Sequence, residues 1–164
     1  MWLDGTLTKA ERLIERLRAQ SWQVATIESC TGGLLAGCIT TVPGASDVLE
    51  RSVVTYSNTA KADMLGVTTA NLMAFGAVSQ PVALHMAQAG ITRLNAHIGI
   101  AVTGIAGPGG ATATKPVGLV HIAACRIDGA CRHRAAVFAG DRTAVRLASV
   151  DAALALALTL TGEG

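Results

Sequence analysis

A three-layer α/β domain is the fold class this sequence predicts: a mixed, mostly parallel sheet flanked by helices and finished by a C-terminal β-hairpin plus helix. Three observations predict it. Strand-like and helix-like patterns alternate through the first two thirds of the 164 residues. Glycine-dense loops follow the apolar strands, as they do in open α/β sheets. Near the end, two β-rich runs flank Asp128-Gly129, a dipeptide favoured in tight hairpin turns.

Leu7, Ala10, Leu13, Ile14 and Leu17 recur at helical spacing with charges on the other face, so a first helix spans residues 8–20. WQVATIE alternates and is β-branched, which makes it a strand. Residues 32–40 form a helix that stops before Pro43, because a proline drives its predecessor out of the helical region. VPGASD is a turn. SVVTYS, residues 52–57, is the second strand, followed by a helix over 58–66 and a shorter one over 69–75. Ser79 is an N-cap for a helix over 80–95, with Pro81 tolerated in its first turn. HIGIAVTG is a strand that runs into the loop GIAGPGGATATKP. VGLVHIAACRI and CRHRAAVF form the hairpin, and a last helix covers residues 141–160. No repeat or linker interrupts the pattern, so residues 1–164 are expected to be one domain.

Composition narrows the function classes. At 51% hydrophobic and 15% charged, the chain can bury a core without disulfides, and with 3% aromatics that core is Ala, Leu, Val and Ile. An alanine-rich, weakly charged surface predicts a homo-oligomer, a dimer or higher. A net charge of +2, scattered basic residues and few aromatics argue against nucleic acid as a partner. The longest apolar tract, DAALALALTL, is too short to span a bilayer, and the N-terminus has no apolar run of signal-peptide length. No membrane partner and a cytoplasmic location are therefore expected. Cys30, Cys38, Cys125 and Cys131 form no CxxC pair and have no histidines spaced beside them, so no metal is expected. In a reducing compartment all four are expected to be packed thiols.

Three loops fall at strand ends and should meet in one cleft if their strands are parallel neighbours. ESCTGG puts Ser29 at a strand end, before glycines whose N–H groups suit an anion or an oxyanion. The competing reading is a helix N-cap made by Ser29 or Thr31. TYSNTAK supplies what a serine nucleophile lacks: Lys61 as a base if burial lowers its pKa, and Tyr56 to relay or position the proton. By itself, Lys61 also reads as an ordinary solvated charge. TGIAGPGG is neither a Walker loop nor a clean GxGxxG, yet its glycines suit close approach to a phosphate or carbonyl, with Thr103 a donor at its start. Arg142 and Arg146 lie four apart on one helical face, and Arg142 at a helix N-terminus is rationalised by an anionic ligand. A solvated pair of arginines is the alternative.

Together, ESCTGG, VPGASDVLERSVVTYSNTAKADMLGV, GAVSQPVA, AVTGIAGPGG, KPVGLVHIA and GDRTAVR resemble, in order and over nearly the whole chain, the CinA C-terminal domain family. The resemblance implies a nicotinamide-nucleotide amidase that converts nicotinamide mononucleotide to nicotinate mononucleotide and ammonia. It implies no cofactor and a small-molecule nucleotide as partner. Carried over by motif, Ser29 is the nucleophile and Tyr56 and Lys61 are its activating partners. Thr31, Gly32, Gly33, Thr103, Gly104, Gly107 and Gly109 build the substrate pocket; independently, the chemistry of the turn makes the N–H groups of Gly32 and Gly33 candidate oxyanion donors. Arg142, with Arg146 or Lys115 as lesser candidates, holds the phosphate. Two positions depart from the family: His97 stands where an acidic residue is common, and ATATKP lacks the acidic residues usual before Lys-Pro. Activity housed in the molybdopterin-binding-like domain that many relatives carry is not expected of these 164 residues. A non-catalytic nucleotide-binding module is the main rival. A Cys30-dependent hydrolase is the minor one, because strand alternation should turn Cys30 away from Ser29 and no His–Asp set accompanies it.

Overall fold

β1 (Val24–Glu28) is buried at all five residues, because sheet neighbours flank it on both edges and helices cover both faces. The computed structural model describes residues 1–162. In chain order its other elements are α1 (Thr6–Ala19), α2 (Leu34–Thr40), β2 (Leu49–Val54), α3 (Asn58–Leu65), α4 (Thr69–Phe75) and α5 (Gln80–Thr92). They continue with β3 (Ile98–Gly104), β4 (Leu119–Arg126), β5 (Cys131–Val137) and α6 (Arg142–Leu158). The sheet order is β2-β1-β3-β4-β5. β1 pairs in parallel with β2 and β3, whereas β3–β4 and β4–β5 are antiparallel. The mixed sheet matches the predicted class, with the antiparallel half supplied by the hairpin.

Period-two alternation splits the core into two layers. Val24, Ile98, Ile100, Val102, Val120 and Ile122 face α1, α2 and α6. Ala25, Ile27, Ala101 and Ala123 face α5 and the end of α3. Small residues set the spacing on the second face: a Cβ on Gly90 would come within 2.7 Å of the Gly99 Cα, so α5 lies with its backbone against β3. On the first face, Asp151 of α6 accepts hydrogen bonds from Thr6 (2.7 Å) and Lys9 (2.8 Å), fixing α1 to α6.

Three sequence expectations need correction. The second strand starts at Leu49 and ends at Val54, so Tyr56 lies outside it. Thr55 N–H still bonds to Glu28 O at 2.8 Å, but β1 ends there and offers nothing further to pair with. Ser79 precedes α5 without capping it; its hydroxyl donates to Gly76 O (2.8 Å). Cys125 and Cys131 are not free thiols but a disulfide, because the Asp128-Gly129 turn sets them directly opposite in the hairpin register. Cys30 and Cys38 are free and buried. Among the described residues, no helix is long and apolar enough to cross a membrane.

Candidate active site

The parallel arrangement brings the carboxyl ends of β1, β2 and β3 together, and a cavity of about 260 Å³ opens there. Ser29, Cys30, Tyr56, Lys61, Thr103 and Arg142 border it, joined by the 104–110 loop and by Ala77 and Val78. A larger cavity of about 460 Å³, between α5 and the hairpin, includes Arg126. Arg126 pairs with Ile98 at the start of β3, so that cavity lies at the opposite end of the sheet, away from Ser29 and Lys61.

The Ser29 turn is built by charged anchors. The Glu28 side chain is fully buried and accepts the N–H groups of Gly33 (3.1 Å), Leu35 (3.0 Å) and Ala36 (2.9 Å), which are the first amides of α2. A carboxylate there satisfies donors that a helix start leaves open, and it lies at the positive end of the helix dipole. Gly32 (φ +58°) and Gly33 (φ +99°) take the left-handed backbone needed to enter α2 so abruptly. Gly32 N–H closes the turn on Ser29 O at 3.0 Å, and Ser29 N–H bonds Val102 O at 2.9 Å.

These bonds overturn the choice of Gly32 and Gly33 as oxyanion donors. Both N–H groups are already engaged, Gly33 by the carboxylate and Gly32 by Ser29. With Thr31, whose side chain is buried without a hydrogen-bond partner among the described residues, they lie outside the cavity lining. The N–H groups of Cys30 and Thr31, the two central amides of the turn, make no hydrogen bond within the described residues. Glu28→Gln is expected to lower stability by about 2–3 kcal/mol, because an amide turns a donor toward N–H groups and removes the charge assistance. Thermal denaturation would register it as a fall in Tm of roughly 5–10 °C.

Lys61 lies buried against Ser29. It stands in the first turn of α3, whose N-cap Ser57 accepts Ala60 N–H, and it is 1% exposed. Its Nζ donates to Thr55 O (2.6 Å) and Ser29 Oγ (3.1 Å). Among the described residues no carboxylate pairs with it. Burial therefore pulls its pKa from the ordinary 10.5 down to about 8. Ser29 thus sits against an amine that loses its proton near neutrality.

The neighbouring thiol behaves in the opposite way. Burial, reinforced by the Glu28 carboxylate, pushes Cys30 up to about 11, so it is a thiol and not a thiolate at pH 7. Alternation does not remove it from the site, since it borders the same cavity as Ser29.

Other expected residues divide. Tyr56 is exposed, and its hydroxyl accepts from the Arg142 guanidinium (2.7 Å) rather than bridging Ser29 and Lys61. Lys61 reaches Ser29 directly, so no tyrosine relay is needed. Arg142 begins α6, which Asp141 caps by accepting Ala144 N–H, and it also donates to Gly107 O (2.8 Å) across the cavity rim. Thr103 is buried and donates to Ala77 O (2.9 Å), tying β3 to the 76–79 loop. Gly104, Gly107 and Gly109 line the cavity.

Arg146 and Lys115 do not line it. The Arg146 guanidinium bonds Cys30 O and Thr31 O, and Lys115 bonds Phe75 O. Sequence reasoning missed Glu28, Ala77 and Val78. For Glu28 a signal existed, an acidic residue at a strand end just before Gly-Gly. Ala77 and Val78 belong to a helix–helix loop, where a strand-end search does not look.

The CinA C-terminal domain family model matches residues 6–161. A CinA-like protein of Syntrophobacter fumaroxidans is 46% identical over 147 residues, covering 87% of this chain and 33% of that protein. A CinA-like protein of Chlorobium limicola is 41% identical over 167 residues, covering 99% of this chain and 39% of its own length. The chain thus spans little more than a third of such relatives. Among solved structures, the competence/damage inducible protein CihA from Agrobacterium tumefaciens is 44% identical with a TM-score of 0.95, and 99% of each chain is covered. A CinA superfamily protein from Escherichia coli is 34% identical with a TM-score of 0.91, covering 98% of this chain and 94% of that one. The matched family model spans every element that builds the cavity, and the chain belongs to the CinA C-terminal domain family.

Proposed function

We propose that this domain is a nicotinamide-nucleotide amidase, hydrolysing the carboxamide of nicotinamide mononucleotide to the carboxylate and ammonia. The observation that carries the reading is the buried Lys61 amine 3.1 Å from Ser29 Oγ with no carboxylate to hold its proton. A neutral amine at that distance takes the hydroxyl proton as Oγ attacks the amide carbon. The negative charge that develops on the carbonyl oxygen falls to the free N–H group of Cys30, which borders the cavity. The Lys61 ammonium then protonates the departing nitrogen, ammonia leaves, and the nicotinoyl ester remains on Ser29. Water, deprotonated by the same amine, hydrolyses that ester. Arg142 at the cavity rim supplies the charge for the substrate phosphate, with Tyr56 orienting its guanidinium.

Ammonia release from nicotinamide mononucleotide tests the proposal directly. Turnover supports it, whereas nucleotide binding without turnover would replace it with the binding-module reading.

The pH dependence has a definite sign. The base form of Lys61 is the active one, and its pKa lies at about 8. Below that value kcat/KM should rise about tenfold per pH unit, and above it the rate should level off. A rate that falls as pH rises from 6 to 8 would rule out Lys61 as the base.

A further inference from the structure

Arg146 spends its guanidinium on two main-chain carbonyls. Its Nε donates to Cys30 O (3.1 Å) and its second terminal nitrogen to Thr31 O (3.0 Å). Among the described residues it pairs with no carboxylate. The approach is close: a Cβ on Gly32 would come within 3.2 Å of the guanidinium, so the glycine leaves room for the arginine as well as for the turn.

A trans peptide sends its C=O and the next residue's N–H to opposite sides. Arg146 on the Cys30 carbonyl therefore turns the Thr31 N–H away from α6. Arg146 on the Thr31 carbonyl does the same to Gly32 N–H, which closes onto Ser29 O. Because Ser29 O accepts that Gly32 N–H, the Cys30 N–H of the same Ser29–Cys30 peptide points the other way and keeps no hydrogen-bond partner among the described residues, on a residue that borders the cavity. A cation on the Thr31 carbonyl also polarises that peptide, which strengthens the Gly32 N–H bond to Ser29 O and, through it, the Cys30 N–H as a donor. Downstream, Glu28 absorbs the amides of Gly33, Leu35 and Ala36, so the α2 donors cannot substitute.

We propose that Arg146 is a positioning residue for acyl transfer: it clamps the Ser29–Gly32 turn by its carbonyls, fixes Gly32 N–H on Ser29 O, and so holds the Cys30 amide that receives the oxyanion. The inference rests on the amidase reading of Ser29. It gives Arg146 a role distinct from Arg142, which meets the cavity itself.

Arg146→Lys and Arg146→Met separate this role from substrate binding and from mere stability. Reactive Ser29 is counted by stoichiometric phosphonylation with a fluorophosphonate, in which Oγ displaces fluoride from phosphorus, and turnover of nicotinamide mononucleotide is expressed per counted site. Per site, kcat should fall on the order of 100-fold in Arg146→Met and about 10-fold in Arg146→Lys, which keeps the charge but not the two-pronged grip. KM should stay within about threefold, and the rise of activity toward pH 8 should be unmoved because Lys61 is untouched.

An arginine that only stabilises the fold would lower Tm and the number of reactive sites while leaving kcat per site unchanged, which would overturn the inference. So would a loss confined to KM. If Arg146→Met does not fold, the Arg146→Lys values decide. An inactive wild type would remove the amidase reading and this inference together. An active wild type, dead as Ser29→Ala but indifferent to Arg146, would remove the inference alone.

Discussion

Ser29→Ala is expected to lower kcat for ammonia release by on the order of 10⁴-fold or more, the scale seen when a nucleophile is removed from a serine hydrolase. Nothing else near Lys61 can replace it. Among the other hydroxyls and thiols bordering the cavity, Tyr56 is held by Arg142, Thr103 donates to Ala77 O, and burial holds the Cys30 pKa at about 11. The Cys30 thiolate fraction at pH 7 is therefore on the order of 10⁻⁴. Cys30→Ala should leave kcat within a few-fold, because it removes a packed thiol and leaves the main-chain amide in place. Nucleotide affinity measured by calorimetry should be unchanged in Ser29→Ala, since the hydroxyl makes its essential contact only as the bond forms. Loss of turnover in Cys30→Ala with turnover retained in Ser29→Ala would reverse the assignment.

Lys61→Met should cost about 10³–10⁴ in kcat and yet make the protein more stable. The catalytic loss follows from removing the base. The stability gain follows from linkage. Lys61 has a folded-state pKa of about 8 against 10.5 in its ordinary state. Between these values the unfolded chain binds the extra proton, so wild-type stability rises with pH across about 8 to 10.5 and is flat below. Each tenfold loss of proton affinity corresponds to about 1.4 kcal/mol, so below pH 8 the protonated, buried ammonium costs about 3 kcal/mol. Methionine of similar shape removes that cost, offset by about 1 kcal/mol for the Thr55 carbonyl that loses its donor. The expected net gain at pH 7 is about 2 kcal/mol, or roughly 4–8 °C in Tm. The variant should also lose the wild-type increase of stability between pH 8 and 10.5. Equal or lower stability at pH 7 would mean that Lys61 is held neutral or solvated there.

Activity gained at a cost in stability is what the proposed role of Lys61 entails. Its neighbours show the complementary pattern. Glu28 and Arg146 spend full charges on main-chain groups of one short turn, which keeps Ser29 beside the amine without occupying the cavity.

Local chemistry makes several features legible in the sequence. Helical spacing in residues 7–17, the Asn58–Gly66 segment and the Asp128-Gly129 turn each express a preference carried by neighbouring residues, and each element forms as expected. Ser29 and Lys61 are legible as a pair because strand ends in an α/β sheet open on one side. Other features depend on residues distant in the chain. The disulfide arises from hairpin register, which pairs Cys125 with Cys131 across a turn and cannot be told from two free thiols by spacing. The end of β2 at Val54 depends on where β1 stops, 26 residues earlier.

ESCTGG itself dictates a glycine-dependent turn that exposes Ser29, because only glycine takes the backbone angles at positions 32 and 33 without strain. Packing then chooses among the amides of that turn. Glu28 folds back onto the start of α2, and Arg146 arrives from α6 more than a hundred residues away, so Gly32 and Gly33 are spent and Cys30 and Thr31 are left open. The proton affinity of Lys61 is likewise beyond any local reading. It comes from the depth at which α3 packs beside the β1 end, since desolvation is a property of everything that surrounds a charge.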